Sequence, residues 1–294
     1  MSNLPVTVDK LLNADNKLNL KITTGLPKPG RLPTSYFQYQ ESGTERGRNL
    51  EVLMRIAFPG GLMVRTDEKS GVTSYSLMGT LTGCDPYGVE KSEGKTDLQK
   101  FYNALLEMEN MLIKYAVENS VKLFGKKRSE EGIREGFNRL VGTSKDNIDG
   151  EWKPNGKYPP SFKIKVPVYD NRVSTEIVDG KRNPLYATPE SLTSIFRKGV
   201  EANVVISGSI YVIAGGGFGV TWRLGKAQVF SRASVTAADI FKVEEEDVPA
   251  PAPSLVEEES QLDSERPVTP VDQPTEPAPP VAPARKRRVA AGPP

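Results

Sequence analysis

Apolar residues recur at every second position in two stretches near residue 210. Val204, Ile206, Ile210 and Val212 make one set, and Phe218, Val220, Trp222 and Leu224 make the other. That is the period of a strand with one buried face. Gly215-Gly216-Gly217 separates the sets and supplies turn angles that other residues avoid. A helix over 204–212 would bury Ser207 and Ser209 among its apolar residues. The pattern predicts a hairpin over about 199–230, part of a closed or strongly curved sheet. Its second strand carries Trp222, Arg223 and Lys226.

The same period marks earlier strands. Leu18, Leu20 and Ile22 alternate with polar residues until the prolines at 27, 29 and 33. Leu50, Val52, Met54 and Ile56 alternate with Glu51, Leu53 and Arg55, ending at Pro59-Gly60-Gly61. Residues 62–65 and 72–81 read as a further pair around a turn at 67–71, so the first eighty residues are expected to form a β-meander. The period then changes. Phe101, Leu105, Met108, Leu112, Tyr115 and Val121 recur three, four or six apart, predicting one long helix over 98–124 with Thr96 or Asp97 as its cap. Glu107, Glu109 and Glu118 are expected on its solvent side. A shorter helix is expected over 129–140, weakened by Gly132 and Gly136. Residues 151–160 read as a stiff, proline-ended lead into a strand in which Phe162, Ile164, Val166 and Val168 face the core and Lys163, Lys165 and Tyr169 face out. Ile177 starts a partner strand, and Thr188-Pro189-Glu190 reads as a helix start. The expected architecture is β with inserted α-helices: an OB-fold-like barrel over 1–243, with a helical insert at about 97–140.

Composition adds a tail. Hydrophobic residues are 37% of 294, low for a fully compact chain. Residues 244–294 hold half of the 24 prolines and no apolar period, and are expected to be disordered. The net charge of +2 divides unevenly. The tail has eleven acids and five bases, which leaves residues 1–243 with 34 bases and 26 acids. A basic body suits a polyanionic partner. The nine acids of 244–265 could compete for the same surface. Arg285, Lys286, Arg287 and Arg288 form a compact basic cluster of the kind read as a nuclear import signal or an extra phosphate contact.

The chemistry of an enzyme is hard to assemble from these residues. One cysteine, Cys84, and no histidine exclude internal disulfides, Ser-His and Cys-His nucleophiles, and Cys/His zinc sites. No metal or other cofactor is expected. Gly219 and Gly225 are one residue too far apart for a phosphate-binding P-loop, and Ala227 stands where a hydroxyl is needed. No apolar run is long enough to span a membrane. A reducing, intracellular setting fits.

Binding a single strand needs cations for phosphates and flat rings for bases. Four stretches combine them: Tyr36, Phe37 and Tyr39 with Arg46 and Arg48; Trp152 and Lys153 with Lys157 and Tyr158; Lys163 and Lys165 with Tyr169; and Arg223 with Lys226 beside Trp222. Arg55 adds a cation on a neighbouring strand. Trp222 shares parity with Phe218, Val220 and Leu224, which favours a place in the core.

Four segments in fixed order carry a resemblance. They are Gly83-Cys84-Asp85-Pro86-Tyr87-Gly88, Lys122-Leu123-Phe124-Gly125-Lys126, Lys157-Tyr158-Pro159-Pro160-Ser161-Phe162-Lys163-Ile164-Lys165-Val166-Pro167, and Gly217-Phe218-Gly219-Val220-Thr221-Trp222. The set, over roughly 50–235, resembles single-stranded DNA-binding proteins of nucleocytoplasmic large DNA viruses. It is more distantly similar to the single-stranded DNA-binding protein of short-tailed phages. The resemblance implies an OB-fold barrel with inserted helices that coats and protects single strands in viral DNA replication, repair or recombination, in the host nucleus or a cytoplasmic replication site. It implies that Lys163 and Lys165 lie on the family's basic strand. The phage proteins meet replication proteins through an acidic tail with a terminal aromatic; here the acids lie mid-tail and the end is basic. A homodimer is compatible with the sequence. A virion structural or scaffold protein and an RNA-binding protein are the alternative readings.

Overall fold

The computed structural model describes residues 4–25, 34–40, 47–213 and 215–230. Arg46, the tail at 244–294 and the cluster Arg285, Lys286, Arg287 and Arg288 lie outside them. The strands, in order, are β1 (Val6–Thr7), β2 (Leu20–Thr24), β3 (Ser35–Tyr39), β4 (Arg48–Asn49), β5 (Glu51–Phe58), β6 (Leu62–Thr66) and β7 (Thr73–Thr80). Helices α1 (Asp97–Glu118), α2 (Ser120–Phe124) and α3 (Glu130–Gly136) follow. Then come β8 (Lys145–Ile148), β9 (Glu151–Pro154), β10 (Ser161–Val166), β11 (Val168–Tyr169), β12 (Arg172–Val173), β13 (Glu176–Asp179), β14 (Pro184–Leu185), α4 (Leu192–Ile195), β15 (Val200–Val212) and β16 (Phe218–Phe230).

Five strands pair in a ring. β5 bonds β15, β15 bonds β16, β16 bonds β10, β10 bonds β7, and β7 returns to β5 where Ala57 meets Thr80. Only the β10–β16 contact in this ring is parallel. The expected hairpin is present as β15 and β16. The expected meander is overturned: β3 and β5 follow one another along the edge of β15 that faces away from β16, β5 against Val200–Ser207 and β3 against Ser209 and Ile210.

β16 is thirteen residues long, and its alternation changes partway. Phe218, Trp222 and Leu224 are buried, then Ala227 and Val229. Val205 pairs with Lys226 but Ile206 pairs with Leu224, so Gly225 is an extra residue. This bulge shifts the side-chain parity by one and keeps both halves facing one core. It also places Lys226 outward, where unbroken alternation from Trp222 would have buried it.

The core is built on rings. Trp222 stacks on Phe37 at 6.5 Å and meets Phe101 of α1 edge-on at 6.2 Å, and Phe101 meets Phe162 at 5.1 Å. Two strand glycines make room for them. Gly208 lies opposite Trp222 and Gly79 opposite Phe162. A Cβ at Gly208 would stand 2.9 Å from the Trp222 ring, and one at Gly79 would stand 3.0 Å from the Phe162 ring.

The helical insert differs from the expectation in four ways. The single helix breaks at Asn119, giving α1 and α2. Of the two expected caps, Thr96 is the one used, through a reciprocal bond with Gln99. Val121 is exposed, because the break rotates it off the core face. Glu109 is buried, not solvated: its carboxylate accepts from Leu140 N at 2.7 Å, Val141 N at 3.2 Å and Arg139 Nη2 at 3.2 Å. It ties the segment after α3 to the middle of α1. α3 ends at Gly136, short of the expected 140, and α4 begins at Leu192, leaving Pro189 outside it.

The loop from β7 to α1 is closed by Asp85. Its carboxylate accepts from Tyr87 N at 3.1 Å, Val89 N at 2.8 Å and Glu90 N at 2.9 Å. Side chains of α1 hold the same loop from the other side: Gln99 Nε2 donates to Gly83 O at 2.9 Å and Tyr102 Oη to Glu90 O at 2.9 Å. Burial disfavours the ionised Asp85, but the three N–H groups outweigh it and hold the carboxyl below its ordinary value.

Two stability outcomes follow from these carboxylates. Glu109→Ala leaves two buried N–H groups unpaired and should cost about 3 kcal/mol, read as a lower urea midpoint. A depressed carboxyl stabilises the fold above about pH 4 and loses that contribution as pH falls through its folded-state value. Asp85→Ala should therefore be less stable than wild type at neutral pH, and the gap should narrow in acid. A gap that stays constant with pH would show that Asp85 acts without its charge.

Candidate nucleic-acid interface

β10 buries Phe162, Ile164 and Val166 and exposes Lys163 and Lys165, the alternation its sequence predicts. The parallel register with β16 sets Ile164 beside Trp222 and Lys165 beside Arg223. Neighbouring strands are about 4.8 Å apart, so Lys165 and Arg223 are adjacent cations on one outer face. On the other side of β10, Lys163 lies beside Met78 and Lys165 beside Ser76. Ser76 in turn lies beside Met63 on β6, and Arg223 beside Ser207 on β15. The result is a ladder of three cations across β10 and β16, bordered by serines and methionines. Lys163, Lys165 and Arg223 form no ion pair with any described residue.

The other expected cations among the described residues are engaged. Lys226 Nζ meets Glu176 at 2.8 Å, which raises the lysine's pKa. Arg55 pairs with Glu201 at 2.9 Å and lies 4.8 Å over the Phe230 ring. Lys153 pairs with Glu151 at 3.1 Å and Lys157 with Asp146 at 2.8 Å. Arg48 lies 5.4 Å over the Tyr39 ring and donates to Leu4 O. The exposed ion pairs are weak and screened by solvent, but each carboxylate lowers the charge that its partner offers to a polyanion.

The rings divide by parity. In β3, Ser35, Phe37 and Tyr39 face the core, so only Tyr36 faces solvent. Phe37 and Tyr39 offer no face for stacking; that expectation is corrected, because β3 uses them to cover Trp222 and the core beside it. Trp222 is buried, as its parity predicts. Trp152, Tyr158 and Tyr169 are 66%, 68% and 58% exposed. Trp152 does not sit on a stiff lead. It belongs to a hairpin of β8 and β9, closed by Asp149 and Gly150 at φ 55° and 85°. The Asp-Gly dipeptide was the local signal for it.

Sequence reasoning missed Tyr87, which is half exposed and packs over Gly156. A Cβ at Gly156 would stand 2.8 Å from the ring. It also missed the adjacency of Lys165 and Arg223, which no local pattern encodes.

Among the described residues no group of His, Cys, Asp and Glu is arranged to hold a metal, and no helix is long and apolar enough to cross a membrane. Cys84 is buried, and burial pushes its thiol above the ordinary value, away from nucleophilic chemistry. What the outer face can do chemically is hold anions.

No family model matches the chain, and no curated protein matches it. Among solved structures the chain is similar to gp2.5, a single-stranded DNA-binding protein encoded by bacteriophage T7. The two are 13% identical, with a TM-score of 0.39, over 69% of this chain and 100% of that chain.

Proposed function

We propose that this protein binds single-stranded DNA without sequence preference and without catalysing a reaction on it, using an OB-fold barrel whose outer face carries the strand. The observation that carries this reading is the ladder of Lys163, Lys165 and Arg223 on one outer face, with no ion pair to any described residue. Numbered in chain order, the ring strands β5, β7, β10, β15 and β16 close as 1-2-3-5-4-1, with the third and fifth parallel. That is the order of the OB barrel, which takes oligonucleotides across its second and third strands. Here those strands are β7 and β10, and β10 holds both lysines.

The physics favours phosphate over a small anion. Lys163 and Lys165 are two residues apart on one strand face, about 6.6 Å along it, and Arg223 widens the track sideways. A track matches a chain of charges, and its binding gains from the counterions it releases. Coating single strands in viral replication, repair or recombination is the role we assign to it.

The test replaces Lys163, Lys165 and Arg223 together with alanine and follows the anisotropy of labelled oligo-dT at several salt concentrations. Three lost phosphate contacts should raise Kd and flatten the slope of log K against log salt by about 2. An unchanged affinity and slope would remove the ladder from the site. Lys226→Ala, which breaks a pair with Glu176, should change both far less. In competition, oligo-dT should displace a matched RNA; the reverse order would make RNA the ligand.

A further inference from the structure

β2 ends the main sheet. β3 bonds one of its edges, and no described strand bonds the other. The register shows what that edge offers. Asn19 O accepts from Gln40 N and Gly25 N donates to Thr34 O, both at 2.9 Å, so the odd-numbered residues of β2 turn their peptide groups toward β3. Leu20, Ile22 and Thr24 turn theirs the other way, and these groups have no backbone partner among the described residues. An open edge of this kind is a template for one more strand.

The space beside the edge is lined for a particular chemistry. α1 borders it, with Tyr115 Oη bonded to Thr24 Oγ1, and the groove between them holds about 420 Å³. Leu18, Ile22 and Met111 line it with apolar surface, and Lys17, Lys21 and Lys114 line it with charge. None of these lysines has an ion pair with a described residue. Of the two acids beside them, Glu107 is already paired with Lys91 at 2.5 Å. Open peptide groups, apolar lining and spare cations together suit an extended acidic peptide with a few apolar residues.

We propose that residues 254–266 of this chain's own tail occupy the groove as an added strand on β2. They lie outside the described residues, and their sequence and tether single them out. They fill the interval between Pro253 and Pro267 and contain no proline, whose missing N–H would break a ladder. They carry five acids for the three lysines, and Leu255, Val256 and Leu262 for the apolar lining. The other acidic run, 244–247, is cut short by prolines at 249, 251 and 253. The tether is long enough. Phe230 lies opposite Glu201 near the start of β15, and β3 meets β15 at Ser209. Eight residues of strand and two strand spacings span about 30 Å, and the residues at 231–253 can cover more than twice that distance.

Other occupants fit less well. A second copy's β2 would bring two sets of the same lysines together. A nucleic acid has no peptide groups for the edge and no use for the apolar lining. The groove is also apart from the cation ladder. Ile22 pairs with Phe37, which faces the core, whereas the ladder stands on the outer face of β10 and β16. Occupancy of the groove therefore does not depend on DNA binding, and it keeps five of the tail's acids off the ladder.

Carbodiimide coupling, which joins an ammonium to a carboxylate in contact with it, tests this on the full chain. Lys17, Lys21 or Lys114 should be joined to acids of 257–265. The links should form within one copy when labelled and unlabelled protein are mixed, and equally with excess oligo-dT present. Links to Lys163 or Lys165 instead would put the tail on the ladder. Links from 244–247, or between copies, would give the groove a different occupant, and links lost on adding oligo-dT would give it to DNA. Each of these results overturns the proposal, as does the absence of any link. Val256→Pro with Gln261→Pro, which alters only the tail, should speed hydrogen exchange at the amides of Leu20, Ile22 and Thr24 about tenfold and leave those of β10 as they are. Unchanged exchange in β2 also overturns it. Neither readout requires binding of DNA, so failure of the function proposed above would leave both results standing.

Discussion

β16 must bond β15, β10 and β13 along thirteen residues while keeping one face in the core. A regular strand cannot satisfy this here, because its sequence buries even positions first and odd positions afterwards. The extra residue at Gly225 resolves the conflict. It resets the parity and leaves Arg223 and Lys226 outside on either side of the bend. The ring, the aromatic core and the outer charge pattern all depend on this one irregularity.

The core and the outer face are two sides of the same register. Trp222 sits beside Ile164 and faces inward to Phe37 and Phe101; one residue on, Arg223 sits beside Lys165 and faces outward. Moving β10 by one residue against β16 would bury a lysine and break the ladder together. Packing of large rings, helped by the space at Gly79 and Gly208, therefore fixes the geometry of the cations without touching them. Electrostatics does the rest by subtraction. Lys226, Arg55, Lys153 and Lys157 meet nearby carboxylates, whereas Lys163, Lys165 and Arg223 meet none among the described residues.

Polar side chains hold the insert. Glu109 collects the segment after α3, Asp85 closes the loop before α1, and Asp146 fixes the loop before β10. Each satisfies backbone or side-chain donors that would otherwise face an irregular stretch without partners. Two of the three lie in or beside the segments that suggested a family, so those segments carry loop architecture as well as surface chemistry.

Local period was enough to place most strands, the cap of α1 and the outward direction of Lys163 and Lys165, because alternation and capping are properties of neighbours in sequence. The same reasoning put Trp222 inside. It failed where a second element decides the outcome. Glu109 looks like a solvated helix acid until Leu140 and Val141 arrive to donate to it. Phe37 and Tyr39 look like surface rings until β15 and Trp222 give their face a core to cover. The strand order of the ring, the docking of β3 and β5 along one edge of β15, and the meeting of Lys165 with Arg223 come from long-range pairing. Pairing of that kind depends on how whole faces match, and no window of sequence contains both faces.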